Sequence, residues 1–362
     1  MSRLKRLLLL LAVCGAVIGM TLERQAQAQE ETYELKMATS WASGPLWDLG
    51  AQAFADRIEM LSNGRIKVEV FPGGAIGEPL RVTDSVRRGV ADLGHTWSGY
   101  DWGRDTTTVA FGGFAGTMDM ERMLHWLYEG GGTELWREFR EDQFGVVAMP
   151  LFFRTMETFL HSRVPISSLE DLRGVKIRTA GAWLEMLEEL GAAPVTTAGA
   201  EIYPMLERGV IDATEWGSPW EDTFPKFYEV TDHVIIPGVH QPTAPFELQI
   251  NSEVWERFSD NDKELIELAA KLVTLESWLT VGHNDTEAMQ FYAKEGQNIV
   301  ELDVDVQKRV RELGFEYAER QSAENQWFKR VWESQREFEQ LWKDAERYRY
   351  PAPEIRSLGL QD

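Results

Sequence analysis

Between Gly174 and Glu221 the chain alternates short extended runs with short helices, and this alternation limits the fold more than any other feature. Val175 to Thr179 is β-prone and carries one basic residue at its end, Arg178. Ala180 and Gly181 turn the chain. Trp183, Met186, Leu187 and Leu190 then recur at spacings of three and four, so they share one helical face. Gly191 stops that helix. Pro194 to Thr196 is extended, Glu201 to Glu207 is a second helix stopped by Gly209, and Val210 to Trp216 is extended again. Strands alternating with helices imply βαβ units and a parallel sheet, hence an α/β fold. In such sheets ligands bind beyond the carboxyl ends of the strands. Arg178 and the Glu215–Trp216 pair both stand at such ends. A cation, a carboxylate and a large aromatic therefore converge on one cleft, which suits a small carboxylate ligand, with or without a metal. Each has a plainer reading alone: a surface ion pair, a solvated acid, a core tryptophan. Their coincidence at related positions favours a site.

The same stretch carries a family pattern. Ser168-Leu169-Glu170-Asp171-Leu172-Arg173-Gly174-Val175-Lys176-Ile177-Arg178 is followed by Gly191-Ala192-Ala193-Pro194-Val195. Ala200-Glu201-Ile202-Tyr203-Pro204-Met205-Leu206-Glu207-Arg208-Gly209-Val210-Ile211-Asp212 completes it. This resembles the specificity region of TRAP transporter solute-binding proteins, the periplasmic receptors of tripartite carboxylate transporters. Ala200 stands where the family has glycine. The ending Ala213-Thr214-Glu215-Trp216 resembles the 2-oxoacid and lactate branch; most dicarboxylate and sugar-acid members have Asn in place of Trp216. The resemblance implies a two-domain, periplasmic-binding-protein-like fold with crossing strands and a long C-terminal helix. It also implies that Arg178 pairs with the ligand carboxylate.

The N-terminus reads as an export signal. Arg3, Lys5 and Arg6 precede an apolar run from Leu7 to Ile18, and Ala26-Gln27-Ala28 is an A-x-A cleavage site. The run is too short to span a bilayer comfortably. Leu11 to Cys14 is a poor lipoprotein box, with Val directly before the Cys. Cys14 is the single cysteine, so a chain cleaved near Ala28 has no disulfide, thiol chemistry or thiolate metal site. The chain has 37 basic and 59 acidic residues. Removing residues 1–28, with four basic residues and one acid, leaves 33 against 58, a balance of −25. Such a charge opposes binding to nucleic acid or anionic lipid. An anionic ligand then needs a local positive site, from Arg178 or a bound cation.

Further site candidates follow the chain. Tyr33 to Thr39 is a strand ending in a turn that holds Trp41, either a ligand wall or a plug at the domain rim. His95-Thr96-Trp97-Ser98-Gly99-Tyr100-Asp101-Trp102 lies just beyond another short strand. The branch resemblance implies an aromatic loop covering the ligand here. Tyr100 would donate through its phenol, and Trp97 and Trp102 would be walls, at least one of them serving packing instead. His95 has no metal partner at a recognised spacing and reads as a core or rim histidine. Val146 to Phe153 is a buried strand that crosses between domains. Arg154 offers a second ligand cation, and Glu157 falls near the position where the branch has a cation-binding Gln. Pro237-Gly238-Val239-His240-Gln241-Pro242 resembles the branch pattern P-G-W-H-E-P, where the chain crosses back. In the alternating run Phe246 to Asn251, Glu247 points away from Phe246 and Leu248, toward the cleft.

These readings assign residues 1–28 to the signal, 29–150 with 240–300 to domain I, and 151–239 to domain II. Residues 301–362 form a C-terminal helix and tail. Helices are expected from Met120 to Phe139, Trp220 to Tyr228, Asp260 to Ala293 and Val304 to Arg347. The last packs across one monomer or exchanges into a homodimer. The expected function is a receptor that closes around a small carboxylate and hands it to TRAP permease subunits. Substrate contacts are Arg178, Trp216, Tyr100, Trp97, Trp41, Arg154 and His240. A bridging cation would be held by Glu215, the Trp216 carbonyl, Glu157, Glu247 and Gln241. Oxygen ligation suits Na⁺ or Ca²⁺. The rival reading is a secreted metal-assisted lyase or hydrolase using Glu215 and His240. Against it, the chain has no nucleophile motif, phosphate loop or dense His cluster.

Overall fold

The computed structural model describes residues 31–351 and Ile355. The signal segment lies outside these residues. Two sheets build the molecule. The first has the order β2-β1-β3-β10-β4, with β1 Tyr33–Thr39, β2 Ile66–Phe71, β3 Leu93–Thr96, β4 Val146–Arg154 and β10 Ala244–Asn251. The second has the order β11-β9-β5-β8-β6-β7. It comprises β5 Leu160–Ser162, β6 Lys176–Arg178, β7 Ala193–Val195, β8 Ala213–Thr214, β9 His233–Ile236 and β11 Asn298–Glu301. Both sheets are mixed. β1 pairs in parallel with β2 and β3, and β6 in parallel with β7 and β8, as the βαβ pattern requires. β10 lies antiparallel to β3 and β4.

The crossing segments position the site. β4 leads to β5 through residues 155–159, and β9 returns to β10 through residues 237–243. The two segments touch: Glu157 bridges Gly238, and Glu157 N donates to the Gln241 carbonyl at 3.2 Å. β4 reads as a continuous apolar run because it is covered on both faces, and all its residues are buried. Asp260–Lys294 is a 35-residue helix that packs along β4 and continues to β11, so it is a third link between the sheets. Ser259 caps it by accepting from Asp262 N. β11 belongs to the second sheet, so the expected boundary near residue 300 does not follow the sheets.

Several helices differ from expectation. The Gly130–Gly132 interruption separates two helices, Met120–Glu129 and Gly132–Phe144. The expected helix from Trp220 is two single 3-10 turns, Glu221–Thr223 and Phe227–Glu229. The C-terminal run is Val304–Glu324 and Gln326–Arg349, broken at Asn325, whose side chain accepts from Trp327 N and Phe328 N. Both C-terminal helices pack on residues that follow the first three strands. The Trp102 indole donates to the Tyr317 hydroxyl at 2.7 Å, and the Gln335 amide to the Ala110 carbonyl at 2.7 Å. Trp102 therefore serves packing.

Candidate functional site

A cavity lies where the sheets face each other across the crossing segments. It is lined by Trp41, Leu46, Trp97, Tyr100, Phe246 and Gln241 on one side. Arg154, Glu157, Arg178, Thr179, Ala180, Trp183, Glu215, Trp216 and His240 complete it. The chain topology explains the meeting. Trp41 follows β1, Trp97 and Tyr100 follow β3, Arg178 ends β6, and Glu215 and Trp216 follow β8. All stand at carboxyl ends of parallel strands, where such folds bind ligands. Arg154 ends β4 and Glu157 lies in the crossing segment that follows it, while His240 and Gln241 come from the other crossing segment.

Arg178 is 2 % exposed. Its Nε and Nη2 donate to the Thr197 carbonyl at 3.2 and 3.0 Å, which fixes the guanidinium plane. Nη1 lies 3.3 Å from Glu215 Oε1, and the Trp216 ring lies 5.3 Å from the guanidinium carbon. Glu215 Oε1 also accepts from Ala180 N at 3.1 Å. Gly181 closes the turn at φ +67°, and a Cβ there would lie 2.7 Å from the Trp97 ring, so this turn needs glycine both for conformation and for space.

Arg154 is engaged differently. Its Nη1 donates to the Trp216 carbonyl at 2.8 Å, and it pairs with Glu157 at 3.4 Å and Glu221 at 3.5 Å. Two carboxylates thus balance Arg154, while Arg178 has Glu215 as its acidic partner. Of the two, Arg178 is the better placed to receive a ligand carboxylate. The Trp216 carbonyl, expected on a cation, points at Arg154.

One ligand atom each from Glu157, Glu215 and His240 lie within 4.8 Å of one another, all buried. His240 Nε2 is 3.2 Å from Glu157 Oε2, and its ring rests 5.3 Å from that of Trp183. Burial pushes Glu157 up to about 7, against the pull of Arg154 and Arg178. Burial also raises Glu215, opposed by Arg178 and reinforced by Glu157. Burial lowers His240 to about 4, so it is neutral near pH 7 and can ligate. Two buried carboxylates, held as costly neighbours, fit a cation that would neutralise them. The Gln241 amide donates to the Gly112 carbonyl at 2.9 Å, which orients its side chain at the cavity edge.

Glu247 does not reach the cavity. It is fully buried beneath the helix Gly132–Phe144, where it accepts from the Trp136 indole and Arg140 Nε, both at 3.0 Å, and pairs with Arg140 Nη2. The strand alternation was read correctly, but the faces were reversed. Phe246 meets the cavity, and a register shift between Phe246 and Glu247 sits at this point of β10. Nothing local in the sequence pairs this charge, because its buried partner, Arg140, is 107 residues away. His95 is a core histidine as expected, with Nδ1 3.1 Å from the Glu247 carbonyl.

Sequence reasoning did not assign Leu46, Thr179, Ala180, Trp183 or Phe246 to the site. Thr179 and Ala180 carried a readable signal, since they directly follow the strand-end Arg178. Trp183 opens its helix, Trp183–Glu189, so its ring reaches the cavity as well as the helix core.

The profile of the bacterial extracellular solute-binding protein family 7, DctP, matches residues 37–325. A monocarboxylate 2-oxoacid-binding periplasmic protein of Nostoc sp. is 27% identical over 312 residues, covering 84% of this chain and 83% of that protein. The sialic acid-binding periplasmic protein SiaP of Vibrio cholerae is 26% identical, over 79% of this chain and 88% of its own. Among solved structures, a TRAP transporter solute-binding protein from Bordetella bronchiseptica, with calcium and picolinate, superposes with a TM-score of 0.84. It is 23% identical, covering 88% of this chain and 95% of that one. One from Pseudoalteromonas atlantica, with sodium and pyruvate, gives 0.82 at 24% identity, covering 88% and 97%. The profile spans most of the chain and takes in every cavity residue described above, so the reading as a lyase or hydrolase does not stand: the chain belongs to the DctP family of extracellular solute-binding proteins and is a solute receptor.

Proposed function

We propose that this receptor binds a small monocarboxylate with an adjacent oxo or hydroxyl oxygen. The observation that carries the reading is the juxtaposition of Arg178, fixed by Thr197, with the buried Glu157–Glu215–His240 cluster. Arg178 would take the carboxylate through its planar fork. A cation, Na⁺ or Ca²⁺, would sit among Glu157, Glu215 and His240 and supply a direct bond to the ligand's oxygens. The Nostoc relative and the pyruvate- and picolinate-bound structures support this class, because each named ligand pairs a carboxylate with a neighbouring donor. The cavity supports a small ligand. Its volume is about 30 Å³, room for two or three waters at roughly 10–15 Å³ each. Tyr100, Trp97 and Trp41 would wall the ligand from solvent.

In this reading residues 1–28 are removed on export near Ala28, and the loaded receptor delivers its ligand to TRAP permease subunits from the periplasm. Among the described residues no helix is long and apolar enough to cross a membrane. The C-terminal helices rest on the receptor's own chain, which supports a monomer; a homodimer exchanging them would show as doubled mass in light scattering. The deciding experiment is calorimetry with pyruvate, lactate and propionate, on chelator-treated protein with Ca²⁺ or Na⁺ added back. Pyruvate or lactate should bind better than propionate, and only with cation. Equal binding by stripped protein would sink the cation, and absence of binding by all three would sink the ligand class.

A further inference from the structure

We propose that Asp285 is the positioning residue that sets the Glu215–Trp216 loop against the cavity. Asp285 lies on the long helix Asp260–Lys294 and does not line the cavity. Its Oδ1 accepts from the Ser218 hydroxyl at 2.9 Å and from Trp220 N at 2.8 Å. Its Oδ2 accepts from the Thr155 hydroxyl. One carboxylate therefore ties the long helix to the loop that follows β8 and to the first crossing segment.

That loop is fastened almost residue by residue. Arg154 holds the Trp216 carbonyl, Thr158 N donates to the Gly217 carbonyl at 2.9 Å, and Glu221 Oε2 accepts from Ser218 N at 3.1 Å. A Cβ at Gly217 would lie 2.7 Å from Arg154 Nη1, so the backbone has no slack there. Arg154 ends β4, Thr158 belongs to the first crossing segment and Glu221 to the loop itself. The long helix, which packs against β4 of the first sheet, fastens the loop through Asp285 and through Tyr292, whose hydroxyl donates to the Pro219 carbonyl at 2.8 Å. Charged acceptors hold N–H and O–H donors about twice as strongly as neutral ones, so Asp285 sets the loop's outer end. Glu215 and Trp216 ride on that loop, and their distance from Arg178 follows from where it sits.

The inference rests on the proposed receptor site, and its test has one arm that needs no ligand. Amide exchange across residues 214–222 would be measured on the unliganded protein for wild type, Asp285→Ala and Asp285→Asn. Asp285→Ala should speed exchange at Trp220 by about tenfold, the loss of one charged hydrogen bond. Asp285→Asn should fall between the two, because its carbonyl still accepts from Ser218 and Trp220 and its amide can donate to Thr155, but the charge is gone. In the second arm, pyruvate with Ca²⁺ should bind about tenfold more weakly to Asp285→Ala, chiefly through faster release, with Asp285→Asn again between Ala and wild type. Unchanged exchange in Asp285→Ala, or Asn behaving as Ala, overturns the proposal. If Asp285→Ala does not fold, Ser218→Ala with Thr155→Val removes two of the three donors and should loosen the same segment; unchanged exchange there overturns it equally. Failure of wild type to bind pyruvate counts against the ligand class, and the exchange arm still decides Asp285.

Discussion

At the scale of single residues, the site depends on how each charge is balanced. Arg178 has a fixed plane and Glu215 as its acidic partner. Arg178→Lys keeps the charge but loses the fork. Ligand affinity should fall by roughly 2–5 kcal/mol, read by calorimetry; near wild-type binding would move the anchor to Arg154. Glu157 carries a pH dependence. Its folded value of about 7 lies above the ordinary 4.5, with burial as the main cause. The unfolded chain releases this proton first, so in cation-free protein this group's contribution to stability falls as pH rises from about 4.5 to 7. A cation competes with the same proton, so its affinity should rise over that window and level off above it. Ca²⁺ titrations at about pH 6 and pH 8 test this; equal affinities would refute it, and Glu157→Gln should reduce the slope to what Glu215 contributes. Glu247 belongs to a different balance. Arg140 joins it to Asp101, with the Asp101 contact at 2.8 Å. Glu247→Gln strips a buried cation of its main partner and should cost about 3–5 kcal/mol of stability in denaturant unfolding. Pyruvate affinity should not change; an affinity loss without destabilisation would restore Glu247 to the site.

At the scale of elements, the long helix and the strand-end Arg178 were legible because their patterns are local. Helical spacing, strand-end turns and the acids of a first turn, here Asp260 and Asp262, are read within a few residues of where they act, whereas the cap itself, Ser259, comes from the structure. The break at Asn325 falls in a polar stretch between Tyr317 and Trp327, where the apolar spacing lapses and an Asn caps the next turn, so the signal is there in the sequence. Trp220 to Tyr228 is expected as one helix, yet Glu221 pairs with Arg154 and Trp220 N donates to Asp285. Pro225 and Lys226, the latter at φ +59°, separate the two turns. The helix Gly199–Glu207 makes a sharper point. Gly199 opens it, and a Cβ there would lie 2.2 Å from the Trp216 ring. Alanine is the better helix former, so Gly199→Ala should leave far-UV circular dichroism intact. It should displace the indole and weaken pyruvate binding by about tenfold, or roughly 1.4 kcal/mol. Unaltered binding would mean that Trp216 is not a wall.

At the scale of the whole molecule, the cavity exists because two sheets face each other across three links. A ligand that bridges them stabilises the closed arrangement. At a hundredfold excess over its dissociation constant it should add roughly 2.7 kcal/mol, visible as a raised thermal midpoint that chelator abolishes; a midpoint indifferent to both would argue against coupled closure. By itself the sequence determined the α/β class, the strand ends that carry Arg178, Glu215, Tyr100 and Trp41, and the family. Each of these is written in short-range periodicity, in turn residues, or in a motif of contiguous residues. The tertiary structure decided which charges meet. It put Glu247 under Arg140, set Glu157 beside His240, turned the Trp216 carbonyl to Arg154 and brought Phe246 to the cavity. The reason is physical: the energy of a buried charge depends on partners within a few ångströms, and chain folding draws those partners from any distance along the sequence.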